Sequence, residues 1–276
     1  MTLMPIIIET CPRCGNSDHQ LALTVGSPEN DTYAGLIHVS FPPPVNYLTC
    51  NSCGLTFRNQ IFSAEEATAL YASAYWQHIL KSMSGDEYFD KVINIPPADS
   101  ELDAKIANLQ SLMQGLNIGK GIDIGCGVGA FLYKLKTALP ELLVDGVEPT
   151  KEFAAVAARR NNTQVINKDY DGFSLEAYDL VTCVHVLEHT PAPWDFLDSI
   201  SKAMRPGAYL YLETPSIEDI QALPADHDRF MSPHNYLFST EFISRELERA
   251  KFRPLSVSYA PTRRGKVDLR AFAVRA

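Results

Sequence analysis

Three glycines at alternate positions, in Asp123-Ile124-Gly125-Cys126-Gly127-Val128-Gly129, separate an apolar strand-like run from an amphipathic stretch. A strand that ends in a glycine-rich turn and passes straight into a helix opens a βαβ unit, and the glycines let a backbone turn approach a ligand closely. The next apolar run ends in an acid, Glu148, the place from which two ribose hydroxyls can be held. The spacing is Gly-x-Gly-x-Gly, with Asp123 two residues before the first glycine. A dinucleotide site uses Gly-x-Gly-x-x-Gly and keeps its helix N-terminus open to a pyrophosphate. This loop fits a nucleoside ligand without phosphate better, which disfavours a nicotinamide dehydrogenase.

Beyond that turn the pattern alternates. Strands are expected at 120–124, 142–147, 165–166, 180–184, 209–213, 255–260 and 267–274, with helices at 129–139, 150–160, 193–204 and 240–250. An α/β, doubly wound, Rossmann-like and mostly parallel sheet follows. Upstream, Ser63 and Glu66 form a capping-box pattern for a helix running toward Tyr71. Leu102, Ile106, Leu109, Leu112 and Met113 recur at helical spacing, so 100–116 reads as a helix packed on the sheet. Residues 77–97 are polar and mixed, ending in Pro96-Pro97, and read as a mobile linker or lid.

Cys11-Pro12-Arg13-Cys14-Gly15 and Cys50-Asn51-Ser52-Cys53-Gly54 are two Cys-x-x-Cys knuckles. Two residues between thiolates let a tight turn aim both sulfurs at one ion, and two such turns make a closed tetrahedral site for structural zinc. The N-terminus has no basic segment before an apolar core, and no run approaches the roughly 20 apolar residues that span a bilayer. A cytoplasmic chain is expected, in which these cysteines are metal ligands rather than disulfides. The intervening residues 21–49, with Pro42-Pro43-Pro44, must form an inserted hairpin or a long loop. The 276 residues then divide into a zinc-ribbon-like module at 1–62, a helical linker and lid at 63–118, and the large α/β domain at 119–276. A net charge of -9 disfavours nucleic acid as a partner. Arg13 and Arg58 are the only Lys or Arg residues before position 63, fewer than a ribbon that grips RNA normally carries. A folded cap that helps close a substrate cleft is the expected role of the module.

The glycine segment resembles the first motif of class I S-adenosylmethionine (SAM) dependent methyltransferases. Tyr178-Asp179-Leu180-Val181-Thr182-Cys183-Val184-His185-Val186-Leu187-Glu188-His189 resembles that superfamily's fourth strand and following loop, and Met204-Arg205-Pro206-Gly207-Ala208-Tyr209-Leu210 its turn into the fifth strand. The stretches Cys53-Gly54-Leu55-Thr56-Phe57-Arg58-Asn59-Gln60 and Ala69-Leu70-Tyr71-Ala72-Ser73-Ala74-Tyr75-Trp76 are similar to the junction in bacterial methyltransferases with an N-terminal zinc-binding domain, among them deoxysugar C-methyltransferases. Those sugar enzymes carry a further C-terminal domain, so their substrate is not carried over. The resemblance implies an antiparallel last strand and SAM as cofactor.

Within that expectation, Gly125, Gly127 and Gly129 supply close backbone, Asp123 reaches the donor's amino group directly or through water, and Glu148 takes the ribose. Cys126 lies in the donor loop and reads, like Cys183, as a small packing residue. The resemblance implies an acid after strand three for the adenine amino group: Asp169, with Asp171 competing and Tyr170 stacking. His185, at the carboxyl end of strand four, is expected near the donor. Glu188-His189 is the candidate proton-transfer pair for a hydroxyl or acidic carbon; otherwise Glu188 holds the loop and His189 shapes the pocket. His234 resembles a recurrent histidine of the group facing the acceptor. Tyr75 and Trp76 fold over the donor or pack within a helix. Asp226, His227 and Asp228 are either a divalent-metal group or a solvated loop, and Arg263, Arg264 and Lys266 either meet a phosphate or form a solvated hairpin tip. The expected function is methyl transfer to a small-molecule acceptor such as a sugar or natural-product intermediate. The alternative is RNA methylation with the ribbon holding the substrate. The oligomeric state and the atom methylated are left open.

Overall fold

The computed structural model describes residues 5–71 and 75–276, apart from the side chains of 64, 68 and 75–77. The N-terminal part contains strands β1 (Ile6–Ile7), β2 (His19–Thr24), β3 (Asn46–Cys50), β4 (Thr56–Arg58) and β5 (Gln60–Ile61), with a short helix α1 (Thr32–Leu36). β2 and β3 pair antiparallel, so the stretch between the two knuckles is a hairpin whose long connection carries α1. Asp31 caps α1 by accepting the Ala34 N–H.

Four helices follow: α2 (Ala64–Ala69), α3 (Tyr75–Leu80), α4 (Gly85–Ile93) and α5 (Glu101–Leu112). Both halves of the expected Ser63–Glu66 capping box are present. The expected linker at 77–97 is instead largely helical. Ser84 and Glu87 make a second capping box, and Phe89 is buried on the inner face of α4. Its edge meets Tyr133 with ring centroids 5.5 Å apart, while the Arg160 guanidinium lies 4.5 Å over the ring. Arg159 and Arg160 pair with Asp86 and Asp90. The charged residues that made the segment look like a linker are the outer face of an amphipathic helix.

The large sheet is built from β6 (Lys120–Ile124), β7 (Leu143–Val147), β8 (Val165–Ile166), β9 (Leu180–Val184), β10 (Tyr209–Pro215), β12 (Phe252–Pro261) and β13 (Val267–Arg275). A two-residue strand, β11 (Tyr236–Leu237), lies between β10 and β12 in the chain. The seven-stranded order is β12-β13-β10-β9-β6-β7-β8. β6 to β10 are mutually parallel and β13 runs antiparallel between β10 and β12, as the resemblance implies. Connecting helices are α6 (Ala130–Ala138), α7 (Lys151–Asn161), α8 (Pro193–Ala203), α9 (Asp219–Ala222) and α10 (Thr240–Arg249). The strand order reverses between β6 and β9, and open sheets of this kind bind ligands at the carboxyl edge beside such a switch point.

β11 does not join this sheet. It pairs antiparallel with β4 and completes a four-stranded sheet of order β11-β4-β3-β2. Phe230 and Leu237 accordingly pack with Phe41, Val45, Tyr47 and Leu70 in one buried cluster. The N-terminal module is therefore stitched to residues 229–246. The Arg58 N–H donates to the Asn235 carbonyl at 2.9 Å, the Tyr47 hydroxyl to the His234 carbonyl at 2.6 Å, and Arg245 to the Cys53 carbonyl at 2.6 Å.

Candidate active site

The glycine turn leaves the end of β6 with positive φ at all three glycines. Their reasons differ. A Cβ on Gly125 would lie 2.4 Å from Val186 Cγ2, and one on Gly129 would lie 2.5 Å from Asn161 Nδ2 and 2.8 Å from Ala157 Cβ. These two are required by packing. Gly127, at φ 55°, has nothing within 4 Å of its missing Cβ, so it is the glycine past which a ligand can approach. Cys126 Sγ packs behind the turn, against the backbone of Gly146, and the Cys126 side chain is buried; only its backbone belongs to the loop face.

Glu148 directly follows β7 and is 3% exposed. Its carboxylate accepts the Gly127 N–H at 2.9 Å and the Thr150 N–H at 2.8 Å, tying the turn to the start of α7. Burial raises its pKa against these hydrogen bonds. Asp123, 2% exposed, accepts from the Thr182 hydroxyl at 2.6 Å. Burial outweighs that bond and pushes its pKa up to about 7. A cation and a diol are the groups this pair is short of, so the donor set fits an aminoacyl nucleoside such as SAM. Asp169 is exposed near Glu148, and Asp171 is taken by Lys168 at 3.1 Å. Tyr170 is half-buried against Phe173 and Phe196, its hydroxyl 3.4 Å from the Ser199 carbonyl.

Beside the glycine turn, the loop after β9 contacts it through Val186 and then presents Glu188 and His189. Glu188 is fully buried. Its Oε2 accepts from the Thr214 hydroxyl at 2.9 Å and its Oε1 lies 3.1 Å from His185 Nδ1. Burial opposes its charge, yet the His185 hydrogen bond and the nearby imidazoles bring its pKa down to about 2. His189 Nε2 lies 3.9 Å from Glu188, and its Nδ1 is 2.9 Å from the Tyr71 hydroxyl. The His189 and His234 rings are 5.2 Å apart, and His234 Nδ1 faces the Arg229 carbonyl at 2.8 Å. Burial lowers the pKa of both, that of His234 to about 3, so both are neutral at pH 7.

His185, expected beside the donor, has both nitrogens committed elsewhere: Nδ1 to Glu188, and Nε2 to Glu213 at 3.2 Å and Asp268 at 3.4 Å. Burial and Lys105 oppose its charge, but the three carboxylates prevail and raise its pKa to about 10. It is an imidazolium inside a larger network. Lys105 of α5 and Arg270 of β13 pair with Glu213 of β10, while Arg229 pairs with Asp219 and Asp268. Four acids thus face four cations, which is the condition under which so many charges stay buried. Tyr71, Lys105, Glu213, Thr214 and Asp268 escaped the sequence reading. Tyr71 lies just past an expected helix, and Lys105 falls in an ordinary amphipathic one.

Tyr75 and Trp76 lie in α3, but their side chains fall outside the described residues. His227 Nδ1 accepts the Arg229 N–H and Asp228 pairs with Lys266, so His227 and Asp228 bond with their neighbours. Lys266 is thereby neutralised, and the Arg263 N–H donates to Glu101.

The four knuckle cysteines converge. Cys11 and Cys53 sulfurs are 3.5 Å apart, Cys14 and Cys50 sulfurs 3.6 Å, and all four lie within 4.8 Å of one another. A tetrahedron of sulfurs about 2.3 Å from zinc has edges close to these. Gly15 and Gly54 both have positive φ and close the turns by donating to the Cys11 and Cys50 carbonyls. Cys14 is eased to about 7 by the Asn16 N–H, whereas burial pushes Cys11 and Cys53 up. Four thiolates this close require a cation, so the residues fit structural zinc.

A family model described as "Methyltransferase domain" matches residues 86–257, more than half of the chain. The chain belongs to this family, the SAM-dependent methyltransferases, and adds a four-cysteine cluster near its N-terminus. It is 31% identical over 103 residues to a ubiquinone biosynthesis O-methyltransferase of Burkholderia vietnamiensis, covering 34% of this chain and 44% of that protein. It is 30% identical over 146 residues to a tRNA U34 carboxymethyltransferase of Pseudoalteromonas translucida, covering 49% of this chain and 45% of that protein. The chain thus spans less than half the length of these curated relatives. Among solved structures, magnesium protoporphyrin IX methyltransferase of Synechocystis PCC 6803 superposes with a TM-score of 0.51 at 17% identity, over 73% of this chain and 99% of that one. That likeness shows the shared fold.

Proposed function

We propose that this protein transfers a methyl group from SAM to a hydroxyl or acidic carbon of a small molecule. SAM supplies an electrophilic methyl on a sulfonium. The Gly127 backbone, Glu148 and Asp123 hold it, with Glu148 on the ribose and Asp123 on the amino group. The reading rests above all on the neutral His189 imidazole, backed by buried Glu188 and bonded to Tyr71, on a loop that packs against the glycine turn. With the Tyr71 hydroxyl donating to Nδ1, His189 carries its proton on Nε2, which lies 3.9 Å from Glu188. Nδ1 is then the atom that can take the acceptor's proton, directly or through the phenol. Glu188 is a positioning residue that stabilises the imidazolium. His234, neutral and fixed by the Arg229 carbonyl, shapes the pocket wall.

The boundaries 1–62, 63–118 and 119–276 are retained as functional units, with zinc folding the first. Two observations favour a cap over an RNA grip. Arg13 is engaged with Glu246 at 2.9 Å and lies over Trp194, and Arg58 is buried against Asp31. Neither is offered to a phosphate backbone. The same module bonds the backbone at His234, so it shapes the acceptor end directly. The test is transfer of labelled methyl from SAM into a size-fractionated host extract, with Glu148→Ala as control. Label in the low-mass fraction is expected. Label in RNA would overturn the small-molecule reading and return the module to substrate recognition.

A further inference from the structure

We propose that Glu188, His189 and His234 form a second metal site, an open divalent-cation site of two imidazoles and one carboxylate. Each offers a ligand atom, and these atoms lie within 4.8 Å of one another. Glu188 is fully buried and both histidines are half-buried. A neighbouring group, His185 with Glu213 and Asp268, is equally close but chemically unsuited. Both ring nitrogens of His185 point at carboxylate oxygens, so both carry protons and neither offers a lone pair. Its carboxylates are already matched by Lys105, Arg229 and Arg270.

In the Glu188 group the hydrogen bonds run the other way. The Arg229 carbonyl only accepts, which puts the His234 proton on Nδ1 and leaves Nε2 a bare ligand. Such a carbonyl partner is the usual support of a metal-bound histidine. The Tyr71 hydroxyl accepts as readily as it donates. If His189 donates from Nδ1 to it, Nε2, the nitrogen 3.9 Å from Glu188 Oε1, becomes the second imidazole ligand. Thr214 holds Glu188 Oε2 and the His185 Nδ1–H bonds Oε1 at 3.1 Å, which orients the carboxylate and leaves Oε1 its second lone pair for an ion. Two imidazoles and a carboxylate suit zinc, cobalt, nickel or ferrous iron rather than calcium or magnesium. Three protein ligands leave coordination positions for an oxygen of water or of a hydroxyl or carboxylate ligand. The site coincides with the acceptor end proposed above, where a bound ion would take the His189 tautomer that cannot act as base at Nδ1. Ion binding needs neither SAM nor acceptor, so the two readings fail separately.

Titration of the full-length, zinc-loaded protein with Co2+ tests this. One equivalent is expected to bind beyond the thiolate-held metal, with ligand-field absorption and no thiolate charge-transfer band. His234→Ala and His189→Gln should each weaken that binding about tenfold or more, whereas His227→Ala should leave it unchanged. Absence of the extra equivalent, or unchanged affinity in both variants, overturns the site. If neither variant folds, X-ray absorption of the Co2+-loaded wild-type protein decides: an imidazole shell is expected, and its absence sinks the proposal.

Discussion

The two ends of the candidate site, the proposed donor end and the proposed acceptor end, are built by different means. The donor end is mostly backbone: a contiguous glycine turn, two amides gathered by Glu148, and a strand-end aspartate whose partner, Thr182, lies on the adjacent strand. The acceptor end is made of side chains. Tyr71 meets His189, Lys105 meets Glu213, and the N-terminal sheet reaches His234, each across more than a hundred residues of chain. A backbone site tolerates little change in the turn but asks few residues for their identity. A side-chain site depends on a scaffold of compensated charges behind it, and substitution there should register first as instability.

The largest effect that tests this contrast is expected at Glu213→Gln. It leaves Lys105, Arg270 and His185 with one buried carboxylate too few. A loss of about 3–5 kcal/mol in urea denaturation is expected, with S-adenosylhomocysteine affinity within about threefold of wild type. A donor affinity that fell with the stability would show that the two ends are not separable. The His185 charge adds a pH signature. Its folded pKa of about 10 lies above the ordinary 6.5, so its stabilisation is complete below about pH 6.5 and lost as pH rises through 10. His185→Gln should remove that part of the pH dependence in the same denaturation series.

His189→Asn should reduce methyl transfer by about a hundredfold without changing S-adenosylhomocysteine binding measured by calorimetry. Undiminished transfer would remove the base from the acceptor end. Glu148→Ala, conversely, should weaken S-adenosylhomocysteine by about a hundredfold, the cost of two charge-assisted hydrogen bonds. A loss under tenfold would mean that the ribose is held elsewhere.

Smaller effects divide the glycines. Gly125→Ala forces a Cβ into Val186 and should cost about 1–3 kcal/mol of folding stability. Gly127→Ala meets open space and pays only for its positive φ, about 1 kcal/mol, so its larger consequence should be weakened S-adenosylhomocysteine binding. Equal behaviour of the two in melting and binding would erase the distinction drawn between them. Last is the pH dependence of the donor site. The Asp123 pKa of about 7 lies above the ordinary carboxylate value, so the unliganded fold is stabilised by its protonation as pH falls through 7. An ammonium bound beside it favours the ionised form. S-adenosylhomocysteine binding should therefore release protons near pH 7 and weaken by up to about tenfold per unit below it. Calorimetry in buffers of different ionisation enthalpy checks this, and Asp123→Asn should abolish the release.

Much of the molecule was legible because its signals are local. Strand and helix order, the capping box at Ser63, the two knuckles and the Gly125–Gly129 turn all depend on residues within a few positions of each other. The helix at Gly85–Ile93 was missed although its signals were also local: Phe89 and the Ser84–Glu87 box lie among charges that only burial against Tyr133 and Arg160 reveals as one exposed face. Among the described residues, no helix is long and apolar enough to cross a membrane.

By itself the sequence determined the α/β class, the donor turn and each Cys-x-x-Cys knuckle, since close spacing along a chain is close spacing in space; the β2–β3 pairing then brings the two knuckles together. The sequence did not determine that His185 would turn away into a buried ion network, that Tyr71 would stand against His189, or that β11 would leave the large sheet to pair with β4. Those outcomes depend on which strands become neighbours. Only when β10 lies between β9 and β13 do Glu188, Glu213 and Asp268 surround one imidazole, and a charged side chain is buried at tolerable cost only where its partners arrive from elsewhere in the fold.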